Sequence, residues 1–305
     1  VLEDAVVDPL QAPGHLLRRA QQVHTEAWTR LVARVTGPQY AVLVAVAGWP
    51  GVDQKTAGEL ASLDKSTAAA IIGRLATGNW LERVQDGTDR RRRRLRLTAQ
   101  AVHALPSLTS SARTVQDALL TGIADGERED FIDALAHVAR IRGSGTEAQS
   151  SSGDVLMMAR TPGYLIRRAQ QFHAAAWNER VPDLTGPQYA VISATVTAGV
   201  ATHTEIGAAA SLDSSSTREV VGRLLQRGWL LAVENVHDRR SRPVRVSAPA
   251  LAVIRSLKGA VGDVQDQLLA PLAPPERERF MSCLRLIVDL APAREGQRSG
   301  SAAPA

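Results

Sequence analysis

Among its 305 residues the chain has a single cysteine, Cys283, which excludes an internal disulfide framework and any cysteine-rich metal site. No apolar run approaches the ~18–20 residues that cross a bilayer. The N-terminus carries Glu3, Asp4 and Asp8 instead of the basic-then-apolar order of a signal peptide, so a cytoplasmic protein is expected. Aromatic residues are only 4% of the total, too few for the stacking platforms on which single-stranded RNA is usually read. The seven histidines form no cluster with carboxylates at metal-ligand spacing, and there is neither a glycine-rich phosphate loop nor a nucleophile elbow. No enzyme, metal or cofactor is therefore expected. Lysine is scarce too, and the net charge of +5 rests almost entirely on arginine. Such a balance suits a polyanionic partner only where the charge is clustered.

What is present is one unit, twice. Pro13 to Gln22 recurs as Pro162 to Gln171, Thr36 to Val42 as Thr185 to Val191, Ser62-Leu63-Asp64 as Ser211-Leu212-Asp213, and Asp89-Arg90-Arg91 as Asp238-Arg239-Arg240, always at an offset of 149. Across Pro13 to Val42, 19 of 30 positions are identical without a gap, so the chain is a duplicated domain. The 44% apolar fraction is ample for two cores. The boundaries expected are a first domain over 1–140, a Gly/Ser-rich flexible linker over 141–160, a second domain over 161–293 and a frayed tail over 294–305. A short linker holds the two copies at an effective concentration on the order of mM, replacing a dimerisation equilibrium by permanent pairing.

In the first copy, Leu17, Ala20, His24, Ala27, Trp28 and Leu31 share one face of a helix from Gly14 to about Arg34. A second helix starts near Pro38 and stops at Gly48-Trp49-Pro50-Gly51, and a third spans Gln54 to Leu63. Asp64 reads as the N-cap of a fourth helix that ends at Gly78-Asn79. Two strands, Leu81 to Val84 and Arg94 to Thr98, then flank the turn-forming Asp86-Gly87-Thr88-Asp89, followed by helices over Ala99 to Leu120 and Asp125 to Arg140. The expected fold class is α+β, mostly α, with two winged helix-turn-helix domains in one chain.

A short helix, a tight turn and a helix opening on small hydroxyl residues form a layout whose second helix enters the major groove. The candidate contacts there are Lys65, Ser66, Thr67 and Arg74 in copy one, and Ser214, Ser215, Ser216, Arg218 and Arg223 in copy two. The hairpin adds Arg90, Arg91 and Arg92, continuing to Arg93, Arg94 and Arg96, with Arg239, Arg240 and Arg242 in the matching stretch. Six arginines in one loop repel one another without a polyanion, and a wing after a helix-turn-helix sets guanidinium groups on phosphates and in the minor groove. The copies are unequal: Lys65 faces Ser214 and Ala69 faces Arg218, so the operator expected is an imperfect palindrome in double-stranded DNA. Helix one carries a second constellation, Arg18, His24 and Trp28, repeated as Arg167, His173 and Trp177. A guanidinium can take a carboxylate, an imidazole a second oxygen, and an indole can flank a ring. The same residues would equally serve as core and ion-pair members of a helix interface.

The block Leu60 to Thr67, with Arg74-Leu75, Gly78 to Arg83 and Asp89-Arg90-Arg91, resembles the recognition helix and wing of the MarR family, over roughly residues 13–140 and again 162–290. The resemblance implies a transcriptional regulator, a repressor, in which the wing aspartate braces a recognition-helix arginine: Asp89 with Arg74, and Asp238 with Arg223. It also implies a dimer joined through the first and last two helices, here fused into an intramolecular pseudo-dimer. The segment Pro13 to His24 is similar to members that answer to aromatic acids such as hydroxybenzoates and protocatechuate. In some of these an arginine and a histidine six residues later hold the carboxylate, matching Arg18 with His24 and Arg167 with His173. His15 becomes Tyr164 in copy two, so the two pockets are expected to differ in preference. Cys283 falls in the last helix, where a buried structural thiol is expected. A non-sequence-specific architectural nucleic-acid binder without ligand sensing stays open beside this reading.

Overall fold

The computed structural model describes residues 12–85, 93–141, 158–234 and 242–289. The first copy runs α1 (Pro13–Leu31), α2 (Gly37–Gly48), α3 (Gln54–Leu60), α4 (Lys65–Thr77), β1 (Leu81–Gln85), β2 (Arg93–Leu97), α5 (Ala99–Leu120) and α6 (Asp125–Val138). After a 3-10 turn at Met158–Arg160 the second copy repeats the order as α7 (Pro162–Arg180), α8 (Gly186–Ala198), α9 (His203–Ala210), α10 (Ser214–Gln226), β3 (Leu230–Ala232), β4 (Val244–Val246), α11 (Ala248–Leu269) and α12 (Pro274–Asp289). Each strand pair is an antiparallel hairpin, with Leu81 opposite Leu97 and Leu230 opposite Val246.

Local chemistry explains the elements. α2 and α8 open on a capping box, in which the Thr36 or Thr185 hydroxyl accepts from the backbone three residues on while the Gln39 or Gln188 side chain accepts from the cap's own N–H. Pro38 and Pro187 sit in the first turn, where a missing N–H costs nothing. Seven consecutive residues of α2, Tyr40 to Val46, are buried, so this helix is apolar all round and forms the centre of its core. α4 is amphipathic instead: Ala68, Ile71, Ile72 and Leu75 point inward while Lys65, Ser66, Ala69, Ala70 and Arg74 face out. The third helix ends at Leu60, three residues before the sequence pattern suggests, because Ser62 adopts a left-handed φ of 50° and turns the chain toward α4. Ser211 does the same at φ 57°.

The compact units do not coincide with the copies. Over the described residues, one unit (A) holds 20–168 with 285–289, and the other (B) holds 12–19 with 169–284. The divisions fall inside α1 and α7, so the first turns of each copy's first helix belong with the body of the other copy. In unit A the backbone N–H of Gly163, at the start of α7, donates to Gln116 Oε1 on α5 at 2.8 Å, and Arg168 Nε donates to the Ala139 carbonyl at 3.0 Å. In unit B, Gly14 N–H donates to Gln265 Oε1 on α11 at 3.0 Å. First helix and penultimate helix of opposite copies thus interlock within each unit, as a fused dimer requires. Cys283 is buried in α12.

Glycine sets the spacing of the helix-turn-helix. A Cβ on Gly58 of α3 would lie 2.7 Å from the Ala68 Cβ of α4, and one on Gly207 would lie 2.8 Å from Thr217 Oγ1. Gly58→Ala therefore forces α3 and α4 apart, with an expected loss of about 1–3 kcal/mol. Urea denaturation of the two proteins measures it, and an unchanged midpoint would mean that the helices separate freely.

Candidate functional site

The sequence-derived contacts of α4 and α10 lie on one outward face. Lys65, Ser66 and Arg74 are exposed and Thr67 is half-buried; Ser214, Ser215, Arg218 and Arg223 are exposed and Ser216 is half-buried. Asp64 caps α4 by accepting from the Ser66 and Thr67 backbone N–H groups at 3.0 and 2.9 Å and from both hydroxyls. Asp213 accepts from the Ser215 and Ser216 backbone N–H groups and from the Ser216 hydroxyl. These donors hold both carboxyls below the usual carboxylate range. Each helix therefore begins on an ionised cap that holds the hydroxyls of Ser66 and Thr67 in α4 and of Ser216 in α10.

The wing candidates Arg90, Arg91, Arg92, Arg239 and Arg240, and the bracing acids Asp89 and Asp238, lie outside the described residues. Arg93, Arg94, Arg96 and Arg242 are exposed at the described ends of the hairpins. Arg94 Nη1 bends back to the Gly51 carbonyl at 3.1 Å. One residue escaped the sequence reading. Glu219 accepts from Arg223 Nη2 at 2.5 Å on the exposed face of α10, where α4 has Ala70 at the aligned position. Its signal was the four-residue spacing of acid and base along a helix.

The second constellation resolves into two cavities, one inside each unit. In unit A a cavity of about 460 Å³ is lined by His24, Trp28, Tyr40, Gln116, Tyr164 and Arg167, among others. In unit B a cavity of about 230 Å³ is lined by His15, Arg18, His173, Trp177, Tyr189 and Gln265, among others. The pairing suggested by spacing, Arg18 with His24 and Arg167 with His173, is thus crossed: Arg167 shares a cavity with His24, and Arg18 shares one with His173. The exchange of first-helix turns produces this, since six residues along α1 carry the chain from one unit into the other.

A hydrogen-bond relay fixes the state of His24. Gly163 N–H occupies Gln116 Oε1, which leaves the amide nitrogen of Gln116 as the group 3.5 Å from His24 Nε2. An amide nitrogen only donates, so His24 Nε2 accepts and the proton sits on Nδ1. That Nδ1 is buried without a partner, as is Arg167 Nε. The indole of Trp28 completes the wall, its Nε1 donating to the Val35 carbonyl at 2.8 Å and its ring lying 5.4 Å from Tyr40 and 5.8 Å from His24. Two buried donors are thus left unpaired close to aromatic side chains, at a desolvation cost that a hydrogen-bond acceptor would relieve.

The same arginines grip the helix-turn-helix. Arg167 Nη2 donates to the Ala61 carbonyl at 2.6 Å, the Tyr164 hydroxyl donates to the Leu60 carbonyl at 3.1 Å, and Ser62 Oγ donates to the Tyr164 hydroxyl at 2.7 Å. In unit B, Arg18 Nη2 donates to the Ala210 carbonyl at 2.7 Å. These carbonyls end α3 and α9, three or four residues before the caps of α4 and α10. Sequence reading found the arginines but not these partners, because a backbone acceptor leaves no residue-type signature.

Burial, and then neighbouring cations, push the imidazoles down from 6.5: His15 to about 3 (Arg18, Arg19), His24 to about 4 (Arg167) and His173 to about 4 (Arg18). Burial first, then Arg19, lowers Arg18 to about 10, still cationic at neutral pH. Unfolded imidazoles bind protons near pH 6.5 while the folded ones stay neutral, so stability that is complete above 6.5 is lost as pH falls toward 4. Replacing His24 and His173 by Asn should flatten the fall in urea midpoint between pH 6.5 and 5. An identical slope in wild type and variant would show that these rings ionise freely in the fold.

Comparison with known proteins finds transcriptional regulators. The MarR family model matches residues 35–92. The chain is 25% identical over 129 residues to the HTH-type transcriptional repressor NicR of Pseudomonas putida, spanning 42% of this chain and 82% of that protein. It is similar to the crystal structure of the PcaV transcriptional regulator from Streptomyces coelicolor in complex with its natural ligand, at 39% identity and a TM-score of 0.42, over 44% of this chain and 96% of that one. To the transcriptional regulator HosA of Escherichia coli it is 33% identical over 121 residues, 40% of this chain and 90% of that protein. With that match to HosA, the family model over the helix-turn-helix and the fold seen in both copies, the chain belongs to the MarR family of winged helix-turn-helix transcriptional regulators.

Proposed function

We propose that this regulator represses transcription by binding an operator in double-stranded DNA and lets go when a small aromatic carboxylate binds beside its first helix. The observation that carries the effector half is the pair of buried, unpartnered donors, His24 Nδ1 and Arg167 Nε, against the indole of Trp28. A bound carboxylate would compete for the guanidinium that holds the Ala61 carbonyl, and so loosen the turn that aims α4. Trp177 and His173 stand in the same relation to Arg18 in the other unit. NicR is a repressor, and the same sign of control is proposed here.

Fluorescence anisotropy with DNA from the chain's own promoter tests this, with benzoate, 4-hydroxybenzoate and 3,4-dihydroxybenzoate as probes. Sequence-dependent binding that at least one acid reverses is the expected result. Binding that ignores sequence would favour the architectural alternative, and release by none of the acids would remove the sensor.

The outward faces of α4 and α10 bear on the operator. Arg218 can fork onto guanine O6 and N7, and Glu219 can accept from cytosine N4, whereas Ala69 and Ala70 offer only methyl groups suited to thymine. The two half-sites should therefore be read unequally. Arg218→Ala should relax base preference in one half-site only, by about 1–3 kcal/mol at the affected pair. Measuring affinity for an operator substituted pair by pair checks this; symmetric loss in both halves would sink it.

A further inference from the structure

The repeats supply the two cavities with the same kinds of residue, yet their chemistry has diverged. We propose that they are not equivalent receptors: the cavity of unit A takes the aromatic carboxylate, the cavity of unit B does not, and one chain binds a single effector. This rests on the effector reading given above and sharpens it.

Size is the first ground. Cavities that enclose small organic ligands usually run from about 300 to 1,000 Å³. The cavity of unit A, at about 460 Å³, falls within that range, and the cavity of unit B, at about 230 Å³, falls below it. One contribution is written in the sequence: Asn178 lines the smaller cavity where the less bulky Thr29 lines the larger, although Ala12 in place of Thr161 acts the other way. The larger one also extends along the loop from Val32 to Thr36, whereas only Thr185 of the equivalent loop reaches the smaller.

The second ground is how far each arginine is already committed. In unit B, Arg18 Nη2 donates both to the Ala210 carbonyl at 2.7 Å and to His15 Nδ1 at 3.0 Å. A guanidinium only donates, so His15 Nδ1 accepts, its proton lies on Nε2, and that N–H donates to Ser211 Oγ at 3.0 Å. Arginine, histidine and the helix-turn-helix turn thus close a ring of hydrogen bonds, which an incoming carboxylate would have to open. In unit A, Tyr164 stands where His15 does, and a phenol cannot do the same. Its hydroxyl is spent on Leu60 and Ser62, and its ring meets the Arg167 guanidinium at 5.6 Å instead of accepting from it. Arg167 Nε and His24 Nδ1, on two residues that line the same cavity, are each left buried and unpaired. The histidine donor is common to both units, since Gln265 sets His173 as Gln116 sets His24. The difference lies in the arginine, whose Nε is unpaired in unit A, whereas in unit B an anion must break a closed ring to engage Arg18 beyond its unpaired Nη1.

Isothermal titration of the full chain with 3,4-dihydroxybenzoate and with 4-hydroxybenzoate, alongside indole N–H NMR spectra of the wild-type protein, tests the proposal. The indole signals of Trp28 and Trp177 are assigned from Trp28→Phe and Trp177→Phe, so the ligand measurements themselves need no variant. One ligand per chain, a Hill coefficient of 1 and a shift confined to the Trp28 indole are expected. Arg167→Lys, which keeps the charge but removes the Nε donor, should weaken uptake at least tenfold, and Arg18→Lys should change it less than twofold. Two equal sites with both indoles shifting would overturn the inequality while leaving the effector reading in place. A single site reported by Trp177 would overturn it as well. No uptake of either acid would bring down the effector reading and this inference with it.

Discussion

The bond from a first-helix arginine to the last carbonyl before the recognition turn is what the rest of the site depends on. Arg167 to Ala61 and Arg18 to Ala210 are short, charge-assisted contacts in partly buried surroundings, where such bonds are worth more than in water. Each joins a cavity wall to the segment that aims an exposed helix. Because the acceptor is backbone, the contact does not depend on the side-chain chemistry at Ala61 or Ala210, only on there being room for it. The arginine is the replaceable partner, and the cavity is built around it.

Next to that bond stands a second constraint, the glycine at the start of α1 and α7. A Cβ on Gly163 would come within 2.1 Å of His24 Nε2, and one on Gly14 within 2.1 Å of His173 Nε2. The backbone must come this close for its N–H to reach Gln116 or Gln265, and that amide in turn sets the histidine tautomer. A small residue at a helix start therefore governs which imidazole nitrogen carries the proton. No single residue type in the sequence announces such a relay.

Much of the fold was legible because it rests on local rules. Asp64 as N-cap, the Thr36 capping box and the amphipathic face of α4 follow from residue types within a few positions of one another. The repeat at 149 residues made every assignment in one copy a check on the other. What spacing misjudged was which arginine meets which histidine. Arg18 and His24 lie on one helix, but that helix leaves one unit and enters the other between them. Partnership across copies is a tertiary fact that helical periodicity cannot carry. Glu219 was missed for a different reason: an acid on a helix expected to meet phosphates looks out of place until its bond to Arg223 is seen.

The exchange of first-helix turns also bears on how the molecule can evolve. In a regulator made of two identical chains, every substitution strikes both cavities and both recognition helices at once, so a change that helps one half-site is tested against the other. In this chain a substitution at Tyr164 alters unit A alone, although its codon belongs to the second repeat, and one at His15 alters unit B alone. Each copy thus lines part of its sister's cavity. Neither repeat can be inherited, lost or exchanged by recombination without rewriting the other's cavity, which binds the two halves into one hereditary unit while leaving each site free to drift.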